Sequence, residues 1–181
     1  MNHQKLAVVA AAAAFAALAC FALPARAIDG VSVESGHGTG TDIWRIGAQW
    51  KWDKKWSDDG HWHLGAYWDL QLGQWRGTGK NSISDIGLTP VFRYQKSDLS
   101  GVAPYLEGAI GFHFISNTRL DANRAFGSTF QFGDHIGAGV RFGEKGRYDL
   151  GVRLQHLSNG GIKQPNNGIN FSLVRFSYNF D

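Results

Sequence analysis

The sequence contains one cysteine in 181 residues, and that residue, Cys20, lies in an apolar N-terminal segment. A single cysteine excludes a disulfide framework within the chain. After Ala27 no apolar run approaches the roughly 18 residues that a membrane-spanning helix needs. Prolines are few, four in total, and no long stretch has helical periodicity. These absences argue against membrane-spanning helices after Ala27 and exclude a disulfide-stabilised fold.

The N-terminal segment has the features of an export signal. Lys5 provides a short positive region, the apolar run "LAVVAAAAAFAALACFAL" follows, and an A-x-A cleavage site ends at Ala27. We predict that residues 1–27 are a signal peptide that is removed. The alternatives are a retained membrane anchor and a lipoprotein acylated at Cys20, although Leu18 occupies a position where a lipoprotein signal has a small residue.

Loss of the signal peptide makes the protein nearly neutral. It takes away Lys5 and Arg26 but no acid, so that 16 basic and 15 acidic residues remain from the original 18 and 15. The high isoelectric point of the full chain is therefore weak evidence for nucleic-acid binding, and we expect no nucleic-acid partner. With Cys20 gone, thiol chemistry is excluded as well.

The rest of the chain alternates between apolar and polar residues with a period of two, which is the signature of β-strands. In "DIWRIGAQWKW", for example, Trp44, Ile46 and Trp50 fall on one face, and Arg45 and Lys51 fall on the other. Most segments exceed the five or six residues usual for soluble strands and reach the nine to eleven that cross a membrane. Eight such segments are predicted, at 28–36, 41–52, 61–74, 83–96, 102–115, 129–143, 147–158 and 168–180.

Two architectures are consistent with this alternation. A soluble barrel or sandwich would turn its apolar face inward, but eight strands leave little room in a lumen for so many large aromatic side chains. A membrane barrel turns that face to lipid and pairs its charges inside. The fold class predicted for residues 28–181 is all-β, an eight-stranded antiparallel up-and-down transmembrane β-barrel without a water channel, which argues against a porin. The predicted lumen charges are Arg45, Asp69, Asp85, Arg93, Glu107, Arg141 and Arg153.

Topology then follows from the export route. Barrels of the outer membrane place both termini in the periplasm and their longer loops outside the cell, so the seventh strand ends at the cell surface. Basic residues in the outer loops suit a phosphorylated lipid surface as well as ordinary solubility. The connections at 75–82, 116–128 and 159–167 are predicted to be extracellular, those at 97–101 and 144–146 are short and periplasmic, and the periplasmic turn at 53–60 is longer than expected.

Two polar residues interrupt the apolar face of the seventh strand, "YDLGVRLQHLSN". His156 and Ser158 continue the face that carries Val152 and Leu154, and same-face neighbours lie roughly 6–7 Å apart at Cα. A serine hydroxyl becomes a nucleophile when a base takes its proton, and histidine is suited to that task near neutral pH. At this depth such a pair meets a lipid ester. The alternative is two interfacial polar residues that only bind water or head groups.

Inferred strand pairing places two further polar residues beside His156. Pairing about the centre of the 159–167 loop sets Asn170 opposite it, and pairing about the 144–146 turn sets Asp134 on the other side. An acid on a lipid-facing surface is costly and needs a reason. A carboxylate or amide beside an imidazole fixes its tautomer, as the third member of a catalytic triad does.

The stretch after Ser158 offers hydrogen-bond donors. The run "NGG" supplies backbone N–H groups in a turn together with the side-chain amide of Asn159, and such donors form an oxyanion hole. The alternative is an ordinary Asn-Gly-Gly loop. Elsewhere, His61 and His63 share one strand and suggest a metal site, but no third ligand is evident, so polarity at the rim or in the lumen is the simpler interpretation and no metal or cofactor is expected.

The stretch "HLSNGGIKQPNNGIN", followed by a strand that ends the chain, resembles the C-terminal signature of the outer-membrane lipid A 3-O-deacylases, the PagL family. The resemblance implies an eight-stranded barrel that hydrolyses the ester-linked acyl chain at position 3 of lipid A, with a membrane-facing site and no cofactor. It also implies that His156 is the base and Ser158 the nucleophile. Asn159 and the backbone N–H of Gly161 correspond to the oxyanion donors.

One position departs from the family pattern, because Asn170 stands where the family has a glutamate. An amide can orient an imidazole but cannot stabilise an imidazolium by charge. Either the activity is reduced or Asp134 supplies the charge from the other side.

The predicted function is a serine esterase that acts on lipid A of lipopolysaccharide. The predicted location is the outer membrane of a Gram-negative cell, with the site towards the outer leaflet and the surrounding membrane lipids as partners. The alternatives are a non-enzymatic structural or adhesin barrel and a lipid acyltransferase. The sequence does not decide between a monomer and a homodimer.

Overall fold

Eight strands form the whole framework of the protein in the computed structural model, which describes residues 27–77, 81–122 and 124–180. The predicted signal peptide, apart from its last residue, lies outside the described residues. Each of the eight predicted segments coincides with one strand. The strands are β1 Gly30–Gly38, β2 Thr41–Lys51, β3 Trp62–Gly77, β4 Ser82–Lys96, β5 Ala103–Ile115, β6 Phe130–Phe142, β7 Tyr148–Ser158 and β8 Ile169–Asn179.

Every strand pairs antiparallel with its neighbours in chain order, and β1 pairs with β8 to close the barrel. Closure is seen in pairs such as Val33 opposite Phe176, and it leaves no sheet edge open to another chain. The strands are 9 to 16 residues long. The predicted eight-stranded up-and-down barrel is therefore confirmed. No helix among the described residues is long and apolar enough to cross a membrane.

The barrel wall has its apolar side chains outside. Ile136 is 67% exposed and Leu154 61% exposed, both on the outer surface. Outward aromatic residues gather near both rims, as in transmembrane barrels: Phe112, Phe114, Phe130 and Phe132 near the end of the outer loops, and Trp52, Trp56, Trp62, Tyr94, Tyr148 and Tyr178 near the end that holds the termini.

The lumen holds the charges, and all seven predicted lumen residues are buried. Arg153 Nε lies 2.7 Å from Glu107 Oε1, and Arg93 Nη1 lies 2.6 Å from Asp149 Oδ2. Removing charged groups from water is costly, and opposite charges at hydrogen-bond distance offset that cost. The lumen is thus a packed network of ion pairs, as the mixed signs of its residues predict.

An apolar plug closes the lumen at the end of the outer loops, and the alternation did not reveal it. Trp75 points inward with no exposed surface, and its ring meets Phe126 and Phe171 edge-on at 5.8 and 5.4 Å between centroids. Leu120 and Phe126 come from the long loop between β5 and β6, and both are fully buried. This loop is therefore folded over the barrel end, where it supports the loop that follows β7.

Candidate active site

His156 and Ser158 lie at the outer end of β7, on the side of the strand that faces away from the lumen. Both side chains are half-buried, whereas Leu157 between them is fully buried inside. The alternation of the strand continues to its last residue and turns the two polar groups towards lipid. The expected outward placement of the pair is what the structure has.

The strand pairing sets a polar row across this outer surface. Asp134 on β6 is opposite His156, and His156 is opposite Asn170 on β8. The register inferred from the two turns is therefore confirmed. Both outer members of the row are exposed.

Asn170 fixes the state of the imidazole. Its Oδ1 lies 2.6 Å from His156 Nδ1, and because an amide oxygen only accepts, Nδ1 carries the hydrogen. The other ring nitrogen, Nε2, then has a free lone pair. This is the tautomer that a general base needs.

Asp134 lies opposite His156 on the neighbouring strand β6. No hydrogen bond or ion pair of its carboxylate is present among the described residues. Paired residues on antiparallel strands lie about 4.5–5.5 Å apart at Cα, so the sheet holds Asp134 beside His156.

The Ser158 hydroxyl is not hydrogen bonded to His156 among the described residues. Its Oγ accepts a long bond, 3.5 Å, from the backbone N–H of Gly160. Catalytic hydrogen bonds are often long or absent without substrate and shorten when it binds.

Asn159 corrects one expectation. Its side chain points into the barrel, is fully buried, and donates through Nδ2 to the carbonyl oxygens of Phe126 at 2.6 Å and Lys163 at 2.7 Å. Its backbone N–H donates to Asn166 Oδ1 at 3.0 Å. Every donor of Asn159 is in use, so the predicted oxyanion contact from its side-chain amide is not available here. The residue instead ties the loop after β7 to the plug.

Gly160 and Gly161 form the turn that follows Ser158. Both have left-handed backbone conformations, with φ of 63° and 76°, which favour glycine. The space around Gly161 is open, and its N–H has no hydrogen-bond partner among the described residues. This is the donor that a developing negative charge beside Ser158 can use.

Gly168 is a part of the site that sequence reasoning missed. A Cβ atom at this position would lie 2.9 Å from His156 Cε1 and 3.4 Å from Nε2, and φ is 62°. The ring therefore packs against bare backbone. In the sequence, the available indication was a glycine two residues before Asn170. Only the fold shows that this glycine borders the imidazole.

The polar row opens onto an outward groove of about 920 Å³. Its lining includes Asp134, His156 and Asn170 at one part, and Ile110, Ile136 and Leu154 at another. The polar row of Asp134, His156 and Asn170 thus shares a surface depression with aliphatic side chains. An amphiphile with an ester near its head group fits that distribution of polarity.

His63 is engaged in a hydrogen-bond network of its own. Its Nδ1 lies 2.9 Å from Ser97 Oγ, and its Nε2 lies 3.0 Å from Gln95 Nε2. Since an amide nitrogen donates, His63 Nε2 accepts, and Nδ1 carries the hydrogen. No group of three or more possible metal ligands occurs in the described part of the chain.

Comparisons with known proteins identify a family of similar chains. Residues 42–179 match the family model for lipid A 3-O-deacylase (PagL). Lipid A deacylase PagL of Pseudomonas aeruginosa is 36% identical over 149 residues, covering 80% of this chain and 82% of its own length. Lipid A deacylase PagL of Bordetella bronchiseptica is 32% identical over 174 residues, covering 91% of both chains. The crystal structure of the outer membrane enzyme PagL superposes with a TM-score of 0.75 at 32% identity, covering 83% of this chain and 99% of that one.

Proposed function

The chain belongs to the lipid A 3-O-deacylase (PagL) family, and we propose that it hydrolyses the ester-linked acyl chain at position 3 of lipid A in the outer membrane. One observation carries the residue assignment: a histidine with a free Nε2, held by Asn170 at 2.6 Å, next to a serine on the lipid-facing wall of a barrel. Lipid A and the neighbouring lipids meet this wall directly, so the substrate need not leave the membrane.

The proposed reaction begins with proton transfer. Nε2 of His156 removes the proton of Ser158 while Oγ attacks the ester carbonyl carbon, forming a tetrahedral intermediate. The intermediate collapses, His156 gives the proton to the sugar oxygen that leaves, and an acyl-enzyme remains on Ser158. Water then attacks the acyl-enzyme with His156 again as the base, which releases the fatty acid and restores the serine.

The oxyanion that develops in each step needs preorganised donors. We assign this task to the backbone N–H groups of Gly161 and Gly160, which follow the nucleophile. Asn159 stabilises the turn that contains these glycines from the lumen side, because its two side-chain hydrogen bonds hold the loop in place.

The charge on the imidazolium is proposed to be stabilised by Asp134. Asn170 holds the tautomer but is neutral, whereas the family has a glutamate at its position. Asp134 is the acid opposite His156 on the other neighbouring strand. A carboxylate on a lipid-facing surface is costly, and a charge role at the site provides a reason for it.

The same residues define where the enzyme works. They lie near the start of β6, at the end of β7 and at the start of β8 of a single chain, so catalysis does not need a second subunit. We propose that residues 1–27 direct export and are removed, and that the site faces the outer leaflet.

The test is to express wild type, Ser158→Ala and the matched control Ser84→Ala in a Gram-negative host, and to weigh the extracted lipid A. Ser84 is an exposed serine of β4 and lies outside the groove. Wild type and Ser84→Ala are expected to remove one hydroxyacyl group, and Ser158→Ala none. A mass gain would indicate acyl transfer. An unchanged mass with wild type would instead support a non-enzymatic barrel.

A further inference from the structure

The lumen opens at the end opposite the candidate active site into a basic cavity of about 400 Å³. Lysines and arginines line it from three strands and the turns beside them, and none of the described residues in its lining is an aspartate or glutamate. Lys54, Lys55 and Lys145 extend from the turns and are exposed. With the proposed topology this cavity faces the periplasm.

Arg141 is the most informative residue of this cavity. It lies on β6 with its side chain in the lumen and is 7% exposed. Its Nε donates to the carbonyl oxygen of Gly146 at 3.1 Å. Its two terminal nitrogens have no hydrogen bond and no carboxylate within 4.0 Å among the described residues, and Arg141 is part of the lining of the cavity.

The other lumen arginines differ from Arg141 in this respect. Arg45, Arg93 and Arg153 each contact two or more carboxylates, and Arg175 Nη2 lies 3.6 Å from Asp69. The residue paired with Arg141 across β6 and β7 is an acid, Asp149. Its two oxygens are taken by Arg93 at 2.6 Å and by the Tyr105 hydroxyl at 2.6 Å.

A buried guanidinium whose terminal N–H groups lack an acidic partner is costly, because burial removes part of the water that would otherwise stabilise its charge. Anions relieve that cost when they reach the terminal N–H groups, and planar guanidinium groups bind phosphate oxygens in pairs. Nearby lysines add attraction, and no aspartate or glutamate occurs among the described residues that line the cavity. We propose that the periplasmic mouth of the barrel is a binding site for a phosphate group, with Arg141 as its central ligand.

The phosphate can come from free phosphate in the periplasm or from the head group of an inner-leaflet phospholipid, since both present the same oxygens. The lumen position of Arg141 and the open cavity in front of it suit either one. The site is separate from the esterase residues, which lie at the other end of the barrel. Binding there stabilises the folded barrel, since a ligand that binds only the folded state shifts the unfolding equilibrium.

The test uses the full chain, refolded in a zwitterionic detergent, with inorganic phosphate titrated by calorimetry at constant ionic strength. Wild type is expected to bind one phosphate per chain in a saturable manner. Arg141→Gln is expected to weaken binding at least about tenfold, the size of one lost charge-assisted contact, and Arg141→Lys to weaken it less. The matched control is Arg119→Gln, which removes the same charge from an exposed position at the other end.

Equal affinities for Arg141→Gln and Arg119→Gln would overturn the proposal, as would a wild type that responds neither to inorganic phosphate nor to the phosphatidylglycerol micelles of the second arm. A second arm replaces phosphate by micelles that contain phosphatidylglycerol. For each ligand, the increase in thermal unfolding temperature is compared between wild type and Arg141→Gln. If only the phosphatidylglycerol micelles give a larger increase in wild type, the head group is the source of the phosphate. Lipid A deacylation is measured in parallel, and the proposal expects Arg141→Gln to retain it.

Discussion

The Nδ1 atom of His156 lies 2.6 Å from the Oδ1 atom of Asn170, across the pairing of β7 with β8. The amide oxygen can only accept, so it holds the imidazole in the form that leaves Nε2 ready to take a proton. A neutral partner does this as well as a carboxylate. What it cannot do is stabilise the positive charge that the ring acquires during catalysis.

Asn170→Glu is therefore expected to increase the rate of deacylation. A carboxylate at this position keeps the tautomer and adds a charge beside the imidazolium, and a gain of about 1.4 kcal/mol in the transition state corresponds to roughly tenfold in rate. The measurement is the initial rate of fatty-acid release from lipid A in mixed micelles. Asn170→Gln, which keeps an amide but lengthens the side chain, serves as the control, and a rate for Asn170→Glu no higher than wild type would count against the charge argument.

Asp134→Asn tests the other side of the imidazole. If this carboxylate supplies the missing charge, the variant is expected to lower kcat by roughly tenfold or more while KM changes little, because the charge acts in the transition state. Full activity in Asp134→Ala together with complete loss in Asn170→Ala would show that the tautomer alone matters. The double variant Asp134→Asn with Asn170→Glu is expected to recover most of the lost rate.

Gly168→Ala is expected to displace the imidazole and reduce activity by at least about tenfold, since small errors in positioning are costly. The added methyl group would lie 2.9 Å from His156 Cε1 in a left-handed backbone position. The matched control is Gly60→Ala, which has φ of 83° and nothing within 4 Å. The Gly60→Ala variant has the same backbone strain but no contact with the imidazole. Equal losses of activity in the two variants would therefore assign the effect of Gly168→Ala to backbone strain.

Arg153→Met is expected to destabilise the barrel by about 3–5 kcal/mol, the usual effect of removing one partner from a buried charge network. Arg153 contacts three carboxylates, those of Glu34, Asp69 and Glu107, at 2.7–3.1 Å. The measurement is urea unfolding in lipid vesicles, followed by tryptophan fluorescence. Arg119→Gln, exposed in an outer loop, is expected to change the stability little, and an equally stable Arg153→Met would show that the network is not structural.

Much of the structure could be predicted from the alternation of apolar and polar residues, because side chains along a β-strand point to opposite faces with a strict period of two. The positions of His156 and Ser158 outside the barrel follow from it, and so do the buried charges. The tight turn at 144–146 and the centre of the 159–167 loop also determined the register that places Asp134 and Asn170. The same alternation continues to Asn159 and turns its side chain inward, which contradicts the oxyanion role expected for its amide.

The chain sequence by itself determined the barrel, the direction in which each strand residue faces, and the row of polar residues at the end of β7, because these depend on periodicity and on turns between neighbouring segments. Only the tertiary structure decided how the plug around Trp75 and Phe126 supports the loop after Ser158, how Gly168 borders the imidazole, and which lumen arginine has no carboxylate within 4.0 Å among the described residues. Those features depend on contacts between residues far apart in the chain, and such contacts form only when the barrel closes and its loops fold over the end.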